Sequence, residues 1–148
     1  MSHTPRLTLK DMPPDGYAAL RGVEAYLARS GLERSLIELV KMRASQINGC
    51  AYCLDMHSKD ARRGGETEQR LYLLSGWRES PLYSPRERAA LAWTESLTRV
   101  ADTHAPDADY EGLLPHFTAA EIGSLSILIG MINLWNRLAI GFRAEHPV

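Results

Sequence analysis

Residues 34–57, RSLIELVKMRASQINGCAYCLDMH, decide the fold. Leu36, Leu39, Val40, Arg43 and Ile47 recur at helical spacing, so a helix is expected from about Arg34 to Asn48. Asn48-Gly49 then breaks the chain, and a following helix carries Cys50 and Cys53 as far as Gly64-Gly65. All eight prolines (5, 13, 14, 81, 85, 106, 115 and 147) fall in tails, expected loops or helix starts, and none lies between Gly16 and Ser80.

Working outward, Asp15 is placed to cap a first helix with Tyr17, Leu20, Val23 or Glu24, and Leu27 near one face, ending at Ser30-Gly31. A short helix from Thr67 to Ser75 follows the cysteine helix. Ser84-Pro85-Arg86-Glu87 reads as N-cap, first helical residue and reciprocal capping partner of a further helix. Its stripe is Ala89, Trp93, Leu97 and Val100 or Ala101, and a brief turn is expected over Asp107–Leu114. Thr118-Ala119-Ala120-Glu121 opens a long final helix, apolar on nearly all sides, which suits the centre of a bundle or an oligomer interface. No alternating strand pattern, internal repeat or low-complexity segment is found. The expectation is an all-α single domain of about six to seven helices, spanning 1–148 with an N-terminal tail over 1–14.

A chain of 148 residues buries enough surface to fold without a disulfide or a metal. Seventeen basic and eighteen acidic side chains leave a net charge of −1, which gives no electrostatic drive toward nucleic acid or an anionic membrane. The start, from Met1 to Arg6, has no basic region followed by an apolar one, so no secretory signal is expected. The apolar stretch from Ile122 to Leu138 is interrupted by polar residues and Arg137, and reads as a core helix rather than a membrane span. A cytoplasmic location is expected. In that reducing compartment a close cysteine pair is more often catalytic, redox-active or metal-binding than a structural cross-link.

Only two cysteines are present, Cys50 and Cys53. With the helix beginning near Asn48 or Gly49, both lie in its first turn, where free N–H groups and the helix dipole favour thiolate. Three residues apart, they can close a short, somewhat strained disulfide of the reducible kind. His57, four residues past Cys53, stacks one turn along the same face and is placed as a base for Cys53 rather than Cys50. Asp55 lies off that face. Glu38 sits among apolar neighbours, an odd place for a carboxylate unless it turns inward; a chain folding back at Asn48-Gly49 would bring it to His57 and complete a carboxylate–His–thiol relay. Tyr52 reads first as packing. A zinc site formed by both thiolates, His57 and Glu38 is the chemical competitor, although the distant second ligand pair of structural zinc sites is missing. Leu54 after the second cysteine excludes haem attachment.

Glu38, Cys50, Tyr52, Cys53 and His57 together resemble the Glu-x11-Cys-x-(His/Tyr)-Cys-x3-His signature of AhpD-like alkyl hydroperoxidases, within the carboxymuconolactone decarboxylase-like superfamily. Residues 85–91 and 132–137 are similar too, so the resemblance spans about residues 17–143. It implies an all-helical homo-oligomer, commonly a trimer or hexamer, that reduces hydroperoxides with thiols and needs no cofactor or metal. Cys53 would be the peroxidatic thiol, Cys50 the resolving one, His57 the base and Glu38 the proton relay. Tyr52 stands where the founding enzymes have His; a phenol, with a pKa of about 10, can support by a hydrogen bond but cannot shuttle protons at neutral pH. The implied partners are a hydroperoxide and an external dithiol reductant, lipoyl or thioredoxin-like. Two further readings are a non-enzymatic redox-responsive oligomer and a zinc-binding protein.

Overall fold

In the computed structural model, residues 3–148 are described. Eight α-helices follow in order: α1 Pro14–Ala28, α2 Arg34–Asn48, α3 Ala51–Arg63, α4 Glu68–Tyr72, α5 Pro85–Thr98, α6 Val100–Thr103, α7 Asp107–Glu111 and α8 Ala119–Phe142. Single 3-10 turns stand at Leu9–Asp11 and Leu74–Gly76, and no strand occurs among the described residues.

The all-α expectation holds, with α2 as the central element. Its buried residues, Leu36 through Val40 and then Met42, Ala44 and Ser45, face more than one side, because α2 packs on α3, α5 and α8 at once. Leu36 and Val40 join Trp93 of α5 and Leu125, Leu128 and Ile129 of α8 in one apolar cluster. Leu39 and Met42 join Ala61, Leu71, Leu74, Trp77 and Leu91 in a second. Helix α8 is long and apolar enough to cross a membrane, a test that buried core helices also pass. Here it lies against α2 and α5, with Asn133 and Asn136 buried in its second half, while Ile127 and Ile140 face outward.

Local chemistry explains the boundaries. Ser84 accepts from the Glu87 N–H and Thr118 from the Glu121 N–H, each within a reciprocal capping box. Three expectations need correction. Asp15 does not cap α1: Pro13 precedes the helix and Pro14 is its first residue, whose ring already holds helical φ, so Asp15 lies inside the first turn. Val100 and Ala101 are exposed, because α5 stops at Thr98 and Arg99 leaves helical geometry before the one-turn α6. The expected helix over Thr67–Ser75 is α4 plus a 3-10 turn. These one-turn pieces bring the α-helices to eight where about six to seven were expected.

One polar cluster ties the α2–α3 turn to the core. Gly49 ends α2 at φ 70° and ψ 35°, a left-handed conformation that glycine adopts freely. Just before it, the Asn48 amide donates to Asn133 Oδ1 and Asn136 Oδ1, both at 2.9 Å. Asn136 in turn donates to Ser45 Oγ at 3.0 Å and Asn133 to Thr98 Oγ1 at 3.0 Å. Buried amides need partners, and this network supplies them while fixing where the turn into α3 sits.

Candidate active site

The turn delivers Cys50 as the N-cap of α3 rather than as a first-turn residue, since α3 begins at Ala51. The Cys50 N–H donates back to Ser45 O at 3.1 Å, and Cys50 Sγ accepts the Cys53 N–H at 3.3 Å. A disulfide joins Cys50 to Cys53, with their Cα atoms 5.3 Å apart. The two sulfurs thus have different surroundings: Cys50 sits at the helix end and receives a backbone N–H, whereas Cys53 is inside the first turn.

Glu38 comes from the middle of α2 and His57 from the second turn of α3, and the fold-back at Asn48-Gly49 brings them together. Glu38 Oε2 lies 3.3 Å from His57 Nδ1. The approach is a close contact rather than an aligned hydrogen bond, and neither atom has a hydrogen-bond partner among the described residues. Residue exposures of 8 % for Glu38, 6 % for His57, 1 % for Cys50 and 2 % for Cys53 put the constellation out of bulk water. Buried polar atoms are as a rule hydrogen-bonded, so this pair stands out within the core.

Cys53 and His57 both line a cavity of about 520 Å³, with Tyr52, Met56 and Trp135 among its other walls. Cys50 instead lines a second one of about 670 Å³, against the C-terminal segment, and Tyr52 borders both. Asp55 lies off the site as expected, paired with Lys59 at 2.8 Å.

The sequence reading passed over Asp60. One turn beyond His57 on α3, it places a carboxylate oxygen within 4.8 Å of the Glu38 and His57 ligand atoms. The +3 spacing from His57 was the available signal. Asp60 Oδ1 is also held by Arg63 Nη1 at 2.6 Å. Glu38, His57 and Asp60 form the group among the described residues that could hold a metal ion. The four-ligand zinc set is not assembled in this state, because both cysteine sulfurs are committed to the disulfide.

A buried cysteine pair at a helix start thus lies beside a histidine–carboxylate pair in an all-helical bundle. Residues 14–96 match the Carboxymuconolactone decarboxylase family, and the chain belongs to it. It is 41% identical over 135 residues to the uncharacterized protein YdfG of Bacillus subtilis, covering 91% of this chain and 92% of that one. Among solved structures it is similar, at 47% identity and a TM-score of 0.94, to ATU0492 from Agrobacterium tumefaciens, covering 98% and 99% of the two chains. That protein is described as of unknown function and as a candidate antioxidant defence protein AhpD. An uncharacterized peroxidase-related protein from Silicibacter sp. TM1040 matches at 27% identity and a TM-score of 0.77, over 88% of this chain and 69% of that one. The AhpD-like resemblance therefore stands.

Proposed function

We propose that the chain is a thiol-dependent hydroperoxide reductase of antioxidant defence, working in a reducing compartment as a homo-oligomer. The observation that carries this reading is the buried Glu38–His57 contact beside the Cys50–Cys53 disulfide. His57 Nδ1 is turned to Glu38, which leaves Nε2 as the nitrogen for the cavity side, where Cys53 also lies.

In the reduced protein, His57 takes the Cys53 proton and Glu38 balances the resulting imidazolium. The Cys53 thiolate attacks the terminal oxygen of ROOH. The S–O bond forms, the O–O bond breaks, and the alkoxide leaves as alcohol with the proton that His57 held. The product at Cys53 is a sulfenic acid. Cys50, as thiolate, then attacks the Cys53 sulfur; the S–S bond forms and hydroxide departs, protonated to water. Cys50 is suited to the second step because the helix-end N–H at its sulfur favours thiolate. An external dithiol restores both thiols by exchange and leaves as its own disulfide. Similarity to a candidate AhpD protein and to a peroxidase-related protein supports this reading.

The test is peroxide consumption by the reduced protein with a dithiol donor. Cys53→Ser should abolish it, and Cys50→Ser, reduced and then freed of donor, should consume one equivalent of peroxide and stop as a Cys53 sulfenate that dimedone traps. Wild-type turnover by Cys53→Ser would end the proposal. Disulfide formation on oxidation without turnover would favour the redox-responsive oligomer instead.

A further inference from the structure

The cavity over Cys53 has an outer wall that the cysteine signature does not supply. Pro5, Leu7, Thr8, Leu9 and Met12 of segment 5–12 line the cavity together with Trp135, Leu138 and Phe142 of α8. Two bonds from one residue pin this strap: the Arg6 N–H donates to Phe142 O at 2.9 Å, and Arg6 Nη1 donates to Gly141 O at 3.2 Å. A local box stiffens it, with the Thr8 N–H and hydroxyl both donating to Asp11 Oδ2, at 2.7 and 2.9 Å. Leu7 and Leu9 keep 43% and 62% of their surface exposed, so the strap is not held by burial in the core.

The charges in the chamber also restrict its contents. Lys41 is engaged by Glu24 at 3.6 Å, and Glu24 accepts the Trp135 indole N–H at 2.8 Å. The other acidic residue in the wall is Glu145, which repels anions. A carboxylate-bearing ligand would have to break the Lys41–Glu24 pair, whereas a neutral apolar one needs only the space and the carbon surface. A volume of about 520 Å³ lies in the range of pockets that enclose a ring-sized organic molecule, far beyond what hydrogen peroxide fills.

We propose that the strap of residues 5–12 is the specificity-determining element of this site, completing a chamber that selects neutral, ring-sized organic hydroperoxides over hydrogen peroxide and over anionic hydroperoxides. This rests on the peroxidase reading for the group that reacts, but the chamber itself binds ligand without chemistry. Selection comes from apolar contact made with the strap closed, so loosening the strap costs the bulky substrate and leaves the small one alone.

Two variants and two readouts test it. Arg6→Pro removes the backbone donor and the side-chain donor together; Leu7→Ser with Met12→Ser keeps the pins and strips the wall. Binding of 2-phenylpropan-2-ol, the unreactive alcohol corresponding to cumene hydroperoxide, is followed by tryptophan emission, with benzoate as the anionic comparison. The alcohol should bind wild type saturably and benzoate should not. Both variants should bind the alcohol about tenfold more weakly, equivalent to about 1.4 kcal/mol. In turnover, Arg6→Pro should lose about tenfold in kcat/KM for cumene hydroperoxide and change by about twofold or less for hydrogen peroxide. Unchanged alcohol binding in both variants, benzoate binding as tightly as the alcohol, or equal losses for the two peroxides would overturn the assignment. If wild type reduced neither peroxide yet bound the alcohol through the strap, the peroxidase reading would fall and the chamber would stand. Reduction of both peroxides without alcohol binding gives the reverse.

Discussion

Replacing Glu38 by Gln keeps the shape of the side chain and removes its charge. When His57 takes the Cys53 proton, imidazolium and carboxylate face one another at 3.3 Å. Opposite unit charges at that separation attract by about 5 kcal/mol at an effective dielectric of about 20. The whole amount is not lost in Glu38→Gln, because the Asp60 carboxylate also lies within 4.8 Å of the pair and the amide oxygen still offers a dipole to Nδ1. About half of it, some 2–3 kcal/mol, predicts an approximately 100-fold slower reaction, within the 10²–10⁴ that a positioned acid–base group contributes. The assay is a single turnover: reduce the protein, remove the reductant, add hydroperoxide and count remaining thiols at timed quenches. Stability in urea is the control and should move by about 1 kcal/mol or less, since the variant loses the cost of a buried carboxylate along with the contact. A Glu38→Gln protein that folds normally and reacts within about threefold of wild type would remove Glu38 from the mechanism.

Three further outcomes follow from the scaffold. Gly49→Ala should cost about 1 kcal/mol in urea: an added Cβ meets nothing within 4 Å, so only the left-handed backbone opposes it, by about 1–2 kcal/mol, offset in part by the stiffer unfolded chain. A loss above about 3 kcal/mol would mean the turn is packed more tightly than this. Asn136→Ala strips a fully buried amide from its bonds with Asn48 and Ser45, and should lower stability by about 2–3 kcal/mol in the same measurement; an unchanged midpoint would show the network to be incidental. Burial alone would raise the Glu95 pKa, but hydrogen bonds from Trp77 and Arg43, then the Arg43 charge, outweigh it and hold the carboxyl below its ordinary value. A depressed folded-state pKa gives stability that is present above the ordinary carboxylate value of 4.5 and lost as pH falls through the lowered one, so the stability gap between wild type and Glu95→Gln should close as pH falls below that value. A gap constant with pH would contradict this assignment.

What could be read in advance was what local chemistry controls. The bounds of α2 and the starts of α5 and α8 follow from their periodicity and capping boxes, in which a side chain three residues away satisfies the helix's own N–H groups. Glu38 stood out because an ionisable residue among Leu36, Ile37, Leu39 and Val40 needs a polar partner, and the glycine turn pointed to His57. The start of α1 was misplaced because a proline pair competes with aspartate for the role of helix initiator, and ring geometry prevailed. The strap over the cavity left no pattern of its own: Leu7, Leu9 and Met12 lie in what reads as a tail, and only the long-range bonds from Arg6 to Phe142 and Gly141 give them a position. Asp60 was hidden for the opposite reason. An aspartate near Arg63 on a helix looks like an ordinary surface pair until α2 brings Glu38 beside it.

The different surroundings of the two cysteines give a physical ground for dividing their roles. Cys53 is part of α3, the same rigid element that carries His57, so thiol and base keep their relation whichever bonds form. Glu38 lies on α2, which packs along α3 and whose C-terminal Asn48 is locked to α8 by two amide bonds. Cys50 belongs to neither helix. It caps α3 directly after Gly49, where the backbone leaves one helix before entering the next. Closing and opening an S–S bond requires one sulfur to move relative to the other. In this fold the residue outside both helices has the least regular structure to disturb, while movement of Cys53 would unwind the first turn of α3 and draw His57 away from Glu38. Under the proposed function, attack by Cys53 and resolution by Cys50 is the assignment that would leave the Glu38–His57 contact undisturbed. A family whose name denotes lactone decarboxylation can accommodate the proposed redox chemistry, because a fold supplies the frame and the residues at a site set the reaction.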